Sequence, residues 1–408
     1  MPELILTGTD VQKGVRMTGG VPSDFVIKDV SNEMMLVEPV YYPLMQWAFL
    51  SKSVKRHVTA NVNSLYEFSN RELLPNIDTI VDNGTGGSAT IVIEVAEPDL
   101  WVTGKSVRFE DTDETGIVTN VSGADVTITK DSGNWTQPTI GTNIYLLGEA
   151  HGENDDPPVS VYVDPVMRKT RTQIFQKTVT MTDKMWAATT HGGTYGGNWW
   201  DHQLNDRAKE MKRDIEMAFW LNGAHMIRTT SNASVTKTEG AIYQIENYGG
   251  FLGGYTGGTA SEQELDDFLG LSVRGSKRKT MFVGTELLDD IEQILKGRID
   301  YDGPVARYGP IEGDDIINVL TYRKANVIID IIWEPLWEGK FAKYGVVLDD
   351  NYTTLVSYAS DSKGSRRMRL EMDIDENGAP RNKAQMLADI GIALDCAPHH
   401  GVFKPVVV

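Results

Sequence analysis

"QLNDRAKEMKRDIEMAFWLNG" (203–223) is the most helix-like stretch of a 408-residue sequence that otherwise reads as turns and strands. Trp200, Leu204, Ala208, Met211, Ile215, Ala218 and Phe219 recur at steps of three and four, so they share one helical face. Between them lie Arg207, Lys209, Glu210, Lys212, Arg213, Asp214 and Glu216, a face expected to stay wet or to meet another charged surface. Lys212 and Glu216 are spaced to pair across one turn, for a few tenths of a kcal/mol. A helical bundle needs several such helices, and only one of this length is visible. Its apolar stripe is therefore expected to lie on a sheet.

Length and composition bound the rest. A chain of 408 residues exceeds a single ordinary core, so two or three domains are expected. Hydrophobic content of 40%, with nine Trp and fifteen Tyr, is enough to build them. The lone cysteine, Cys396, leaves no intrachain disulfide and no multi-thiolate metal site. "MPELILTGTDVQK" (1–13) lacks the basic and apolar regions of a signal peptide. "ANVIIDIIW" (325–333) is too short to span a bilayer and carries Asp330. A soluble protein made in a reducing cytoplasm is expected.

The net charge of −18 is concentrated. Residues 75–165 hold 16 acids against Lys105, Arg108 and Lys130, a net of −13, which leaves −5 for everything else. Residues 166–230 run the other way, with ten bases and six acids. So the acidity belongs to one module, which disfavours nucleic-acid binding there and favours a solvent-facing position.

Along the chain, 1–28 reads as an extended arm. "VSNEMMLVEPVYYPLMQWAFL" (30–50) reads as a short helix stopped by Pro39, then an apolar segment punctuated by Pro43. "SVRFEDTDETGIVTNVSGADVTITK" (106–130) alternates apolar and polar residues around two turn signals, the pattern of a small antiparallel β unit. "RTQIFQKTVTM" (171–181) is strand-like, and the glycine-rich "HGGTYGGN" (191–198) precedes the long helix. "FLGGYTGGT" (251–259) reads as a flexible connector. In "SEQELDDFLGL" (261–271), Ser261 and Glu264 form a capping box. "KTMFVGTELLDDIEQILKG" (279–297) is strand, helix and a Gly297 stop, and 318–333 supplies two strands. Alternation over Met368–Ile374 and Ile390–Cys396, joined by "ENGAP" (376–380), predicts a long two-stranded ribbon. The class is α+β.

No constellation asks to be an active site. "DIDENG" (373–378) begins like a calcium loop, but its twelfth position is Ala384, so a hairpin turn is the better reading. The glycine-rich stretches lack the spacing of a phosphate cradle, and hinges are the simpler reading. His151, His191, His202 and His225 are scattered, and the adjacent His399 and His400 read as solvent-exposed turn residues. Asp289-Asp290 and Asp314-Asp315 read as solvated faces, and Cys396 as an inert core thiol. No catalytic, cofactor-binding or metal residue is predicted, and no cofactor.

Three of these stretches carry a resemblance. "RTQIFQKTVTM", the glycine-rich link and the long helix are similar to the segment running from the extended loop into the long helix of tailed-bacteriophage major capsid proteins. "LVEPVYYPLMQWAFL" (36–50) resembles their N-terminal segment, and 106–154 the β insertion that some of them carry. The resemblance implies the Hong Kong 97-like capsid fold. On this chain it implies an N-terminal arm at 1–56, a first peripheral segment at 57–70, and an extended loop at 71–175 with the acidic β insertion at about 76–165. A peripheral domain follows at 176–260, with the spine helix at 198–222, then an axial domain at 261–350 and a β ribbon at 351–408 returning to the peripheral domain. It implies a non-enzymatic subunit that self-assembles into the icosahedral or prolate head of a tailed phage, around double-stranded DNA. The implied partners are the chain itself, in pentamers and hexamers, and separate scaffolding, head protease, portal and decoration proteins, with no membrane and no sequence-specific nucleic-acid binding. The implied location is the virion capsid, assembled in the host cytoplasm. An encapsulin-type compartment shell shares the fold and stays open as an alternative. A β-rich decoration or adhesion protein would explain the insertion but not the helices.

Overall fold

The computed structural model describes residues 42–59, 64–71, 73–151, 160–186, 199–229, 234–272, 274–296, 319–324, 327–359, 366–372, 374 and 381–406. The chain divides into two compact units, one of 1–66 with 169–408 and one of 67–168. α1 (Pro43–Leu50) and β1 (Lys55–Thr59) come first, then β2 (Leu65–Asn70), β3 (Ile77–Asp82), β4 (Thr90–Val95), β5 (Lys105–Phe109), β6 (Thr115–Ser122), β7 (Asp125–Lys130) and β8 (Asn143–Glu149). β9 (Val166–Arg171), β10 (Gln173–Thr182) and α2 (Asp183–Trp186) precede the long helix α3 (Trp199–Leu221). β11 (Met226–Thr229), β12 (Ser234–Lys237), α4 (Ala241–Asn247), β13 (Phe251–Tyr255), α5 (Glu262–Leu271), β14 (Arg278–Val283) and α6 (Thr285–Lys296) follow. The chain closes through β15 (Val319–Lys324), β16 (Val327–Trp333), β17 (Gly345–Leu348), β18 (Thr353–Tyr358), β19 (Arg369–Glu371), β20 (Arg381–Leu394) and β21 (Gly401–Pro405).

The 67–168 unit is built on a closed antiparallel barrel in the order β3-β4-β7-β6-β5-β8. Its alternation is visible in β4, where Ile91, Ile93 and Val95 point inward and the residues between them are exposed. These side chains join Val107, Phe109, Val126, Ile128 and Ile144 in a core of the barrel's own, and Phe109 meets Trp135 edge-on at 4.9 Å. The entering strand pairs with the leaving one, Ile77 opposite Tyr145. The small antiparallel unit expected within the acidic module is therefore present.

In the other unit one sheet runs β1-β18-β20-β10, with β19 beside β20, and a six-stranded mixed sheet runs β13-β21-β17-β14-β16-β15. α3 lies as its stripe demands. Met211, Ile215 and Phe219 are fully buried with Phe175, Ile390 and Ile392, and Leu204, Ala208 and Ala218 pack at the margin. β14 is buried on both faces, with Phe282 in this cluster and Met281 and Val283 in a second core beside α5 and α6. The capping box forms as expected, Ser261 Oγ accepting from Glu264 N and Glu264 accepting from Ser261 N.

Several expectations are corrected. Pro43 opens α1 rather than interrupting a segment, because its missing N–H is spare at the first helical position. The "FLGGYTGGT" stretch is not a connector at its start: β13 pairs in parallel with β21, and a Cβ at Gly253 would stand 2.4 Å from the Phe268 ring. Glycine is needed there for close packing, not for motion. The terminal ribbon is present, but its second strand is the 383–389 part of β20 rather than 390–396. β19 pairs with β20 over Arg369–Glu371, and Ile374 N donating to Lys383 O and Asp389 N to Arg366 O carry that pairing to either side, while Ile392 and Leu394 lie beyond it against β18. Cys396 lies beyond the end of β20 and is half-buried. Asp330 is held within β16, where Arg278 Nε, at 2.5 Å, and Thr321 Oγ1 both donate to it. The "HGGTYGGN" link, the "ENGAP" turn, Gly297 and Asp314-Asp315 lie outside the described residues.

Candidate functional site

The charged face of α3 is not uniformly wet. Glu216 is fully buried and turns away from Lys212, which corrects the pairing expected from their spacing. Its two oxygens accept from Leu44 N at 2.7 Å and Met45 N at 2.8 Å, the otherwise uncapped amides of the first turn of α1. Glu334, just past β16 and also fully buried, bonds to Glu216 and accepts from Trp220 Nε1 at 3.0 Å. Burial pushes both carboxyls upward, Glu216 further because Glu334 stands beside it, and Glu334 reaches about 7. Trp220 itself stacks edge-on against Trp337 at 4.9 Å and Phe282 at 5.0 Å, so the pair is sealed by rings.

A second buried network lies at the other end of the mixed sheet. Lys279 is fully buried, and its Nζ donates to Arg274 O at 2.6 Å and His399 O at 2.5 Å. Asp349 Oδ2 stands 3.7 Å away and also accepts from Ser276 N. Burial lowers the Lys279 pKa to about 8 against the pull of Asp349. His400, expected at the surface, is fully buried, and its Nδ1 accepts from Asp349 N at 3.1 Å. Burial, then Lys279, then His399 hold its pKa near 3, so the ring is neutral. Among the described residues no three His, Cys, Asp or Glu side chains are grouped to hold a metal.

These networks knit elements together, and Trp220 of the first also lines a cleft with Tyr243, Lys340 and Tyr344. Each unit also leaves apolar side chains outward. In the 67–168 unit Leu73 is 90% exposed, Tyr162 72% and Met167 63%. In the other, Leu252, Leu370, Met372 and Val235 are all about half exposed. No spacing in the sequence flagged the two carboxyls or the lysine as interior, because their partners are remote in the chain.

The family described as SU10 major capsid protein matches residues 7–406. The chain belongs to that family. This SU10-family chain is thus a tailed-phage major capsid protein, a shell subunit that self-assembles and resides in the virion capsid. No curated protein matches it. Among solved structures, the capsid asymmetric unit of cyanophage A-1(L) is similar at 9% identity, over 95% of this chain and 99% of that one, with a TM-score of 0.50. The capsid of a native GTA particle gives 9%, 94%, 97% and 0.45, and that of Myoviridae phage XM1 gives 9%, 97%, 100% and 0.44. The fold likeness rests on the first of these. The family match selects the shell-subunit reading over a decoration or adhesion protein.

Proposed function

We propose that the shell this chain builds has the Hong Kong 97-like plan and encloses double-stranded DNA. The arm is 1–56, the extended loop 71–175, the peripheral domain 57–70 with 176–260, the axial domain 261–350, and 351–408 returns to the peripheral domain. The observation that carries this reading is α3 lying with Met211, Ile215 and Phe219 on the sheet, as the long helix of that plan requires. The subunits group as pentamers and hexamers, assemble in the host cytoplasm, and act without enzymatic chemistry. Separate scaffolding, protease, portal and decoration proteins complete the head. Symmetry multiplies modest contacts, so no single strong site is needed.

Electron microscopy of the purified protein tests this. Rings, capsomers or closed shells are the expected result, and a compact monomer at micromolar concentration would overturn it.

The barrel belongs on the outside. Its charge would repel DNA, which carries one negative charge per roughly 1.7 Å of axis, and like charge outside discourages particles from clumping. Because Ile77 and Tyr145 are paired neighbours and the barrel has its own core, replacing 77–149 by a short Gly/Ser linker is expected to leave the 169–408 part folded. Circular dichroism and melting of the variant read this directly. Aggregated, unfolded protein, or density for the barrel lining the shell interior, would count against the placement.

A further inference from the structure

We propose that the Glu216–Glu334 carboxyl pair is a proton-operated latch, which fastens α1 to α3 and to the end of β16 while one proton is shared and loosens α1 when that proton leaves. The inference concerns the subunit and holds whatever plan the shell follows.

The geometry is that of a site for one negative charge. Four N–H groups converge on the pair: Leu44 and Met45 on Glu216, and Trp220 Nε1 and Leu336 N on Glu334. Leu44 and Met45 are at the positive end of the α1 dipole, which favours a single anion there. No cation joins them. α1 carries no ionisable side chain. On α3, Lys212 is exposed, and Arg213 and Asp214 are only part-buried. On β16, Asp330 is bonded to Arg278 and Thr321. In the segment after β16, Glu338 and Lys340 are exposed, and Lys343 is 3.4 Å from Glu286. The β14 and β17 residues in the same core, Phe282, Val346 and Leu348, are apolar. Among the described residues, then, each carboxyl has only the other and backbone or indole dipoles for company.

A second negative charge in that setting has nothing to balance it. Two like charges in a dry core repel strongly, and the cost is relieved by separating their attachments. α1 is the part able to move, because an eight-residue helix does not persist without packing. The sign of the pH dependence follows. A free glutamate releases its proton near 4.5, whereas in the native pair Glu334 holds its proton to about 7 and, once it is charged, Glu216 holds the remaining one higher still. The latch therefore contributes fully below that lower value, and the last of its contribution is lost above neutrality, as pH rises toward the release of the Glu216 proton.

Hydrogen–deuterium exchange on full-length purified particles between pH 6 and 9, corrected for the intrinsic exchange rate, tests the latch. The amides of 44–50 are expected to lose protection in the wild type by about tenfold per pH unit above neutrality. Glu334→Gln keeps the shape and the acceptor for Trp220 but cannot ionise, so its α1 protection should stay level, as should that of the barrel strands in both proteins. Wild-type protection that is level with pH, or a Glu334→Gln variant that titrates like the wild type, overturns the proposal. Infrared spectra of the wild type provide a reading independent of any variant. A protonated-carboxyl carbonyl band that persists through neutral pH and disappears at alkaline pH is expected, and its absence at pH 6 overturns the proposal.

Discussion

Ile215→Asp is expected to remove the protein from the soluble folded pool. Ile215 is fully buried in the middle of the α3 stripe, in the core cluster that also holds Met211, Phe219, Ile390 and Ile392. An aspartate there places an unpaired carboxylate in apolar surroundings and removes a well-packed side chain. The combined cost is roughly 3 kcal/mol or more, against a total stability of about 5–15 kcal/mol for a folded domain. The neighbouring Glu216–Glu334 pair adds like charge nearby and offers no cation. Lys209→Ala, on the half-exposed side of the same helix, is the matched control and should change stability by about 0.5 kcal/mol at most. Soluble yield and melting temperature of the two variants give the answer. Equal effects would mean that α3 faces the other way.

Asp349→Ala is expected to be nearly as damaging, with a pH signature of its own. The carboxylate is fully buried 3.7 Å from the fully buried ammonium of Lys279, and it also holds the amides of Ser276 and Asn351. Removing one member of such a pair strands the other charge, typically at about 3–5 kcal/mol. The native Lys279 pKa, about 8, already lies below its ordinary 10.5 because of burial. An unfolded chain therefore binds the proton more tightly between those values, and this group makes the native protein gain stability as pH rises from about 8 to 10.5. Without Asp349 the lysine is pushed lower still, so the window widens downward. Unfolding of the variant measured from pH 7 to 10 should show its deficit shrinking as pH rises. A double change, Lys279→Met with Asp349→Leu, should recover much of the loss. A deficit independent of pH and unrelieved by the double change would place the energy elsewhere.

Much of this fold was legible in local pattern. The 3.6-residue recurrence from Trp200 to Phe219 marked α3 and the face it buries, with ends within a residue or so of those observed. The two-residue alternation of 106–130 marked barrel strands, and Ser261 with Glu264 marked the start of α5. The misreadings share a cause. Glycines at 253 and 254 read as slack, yet the Phe268 ring beside Gly253 and the Val406 side chain beside Gly254 are what call for residues without side chains. His400 reads as a surface residue until β14 and the 349 turn close over it. Glu216 has the same neighbours in sequence as the exposed charges around it, and nothing local distinguishes it.

By itself, then, the sequence determined what depends on near neighbours: the periodicity of helix and strands, the caps, the separation of the acidic module, and the resemblance that led to the shell. Only the tertiary structure decided which charges are interior. Burial of Glu216 is set by α1 and Glu334, and burial of Lys279 by Asp349 and His399, partners brought together by sheet pairing across long stretches of chain. The desolvation that shifts their protonation exists only once those remote surfaces have closed.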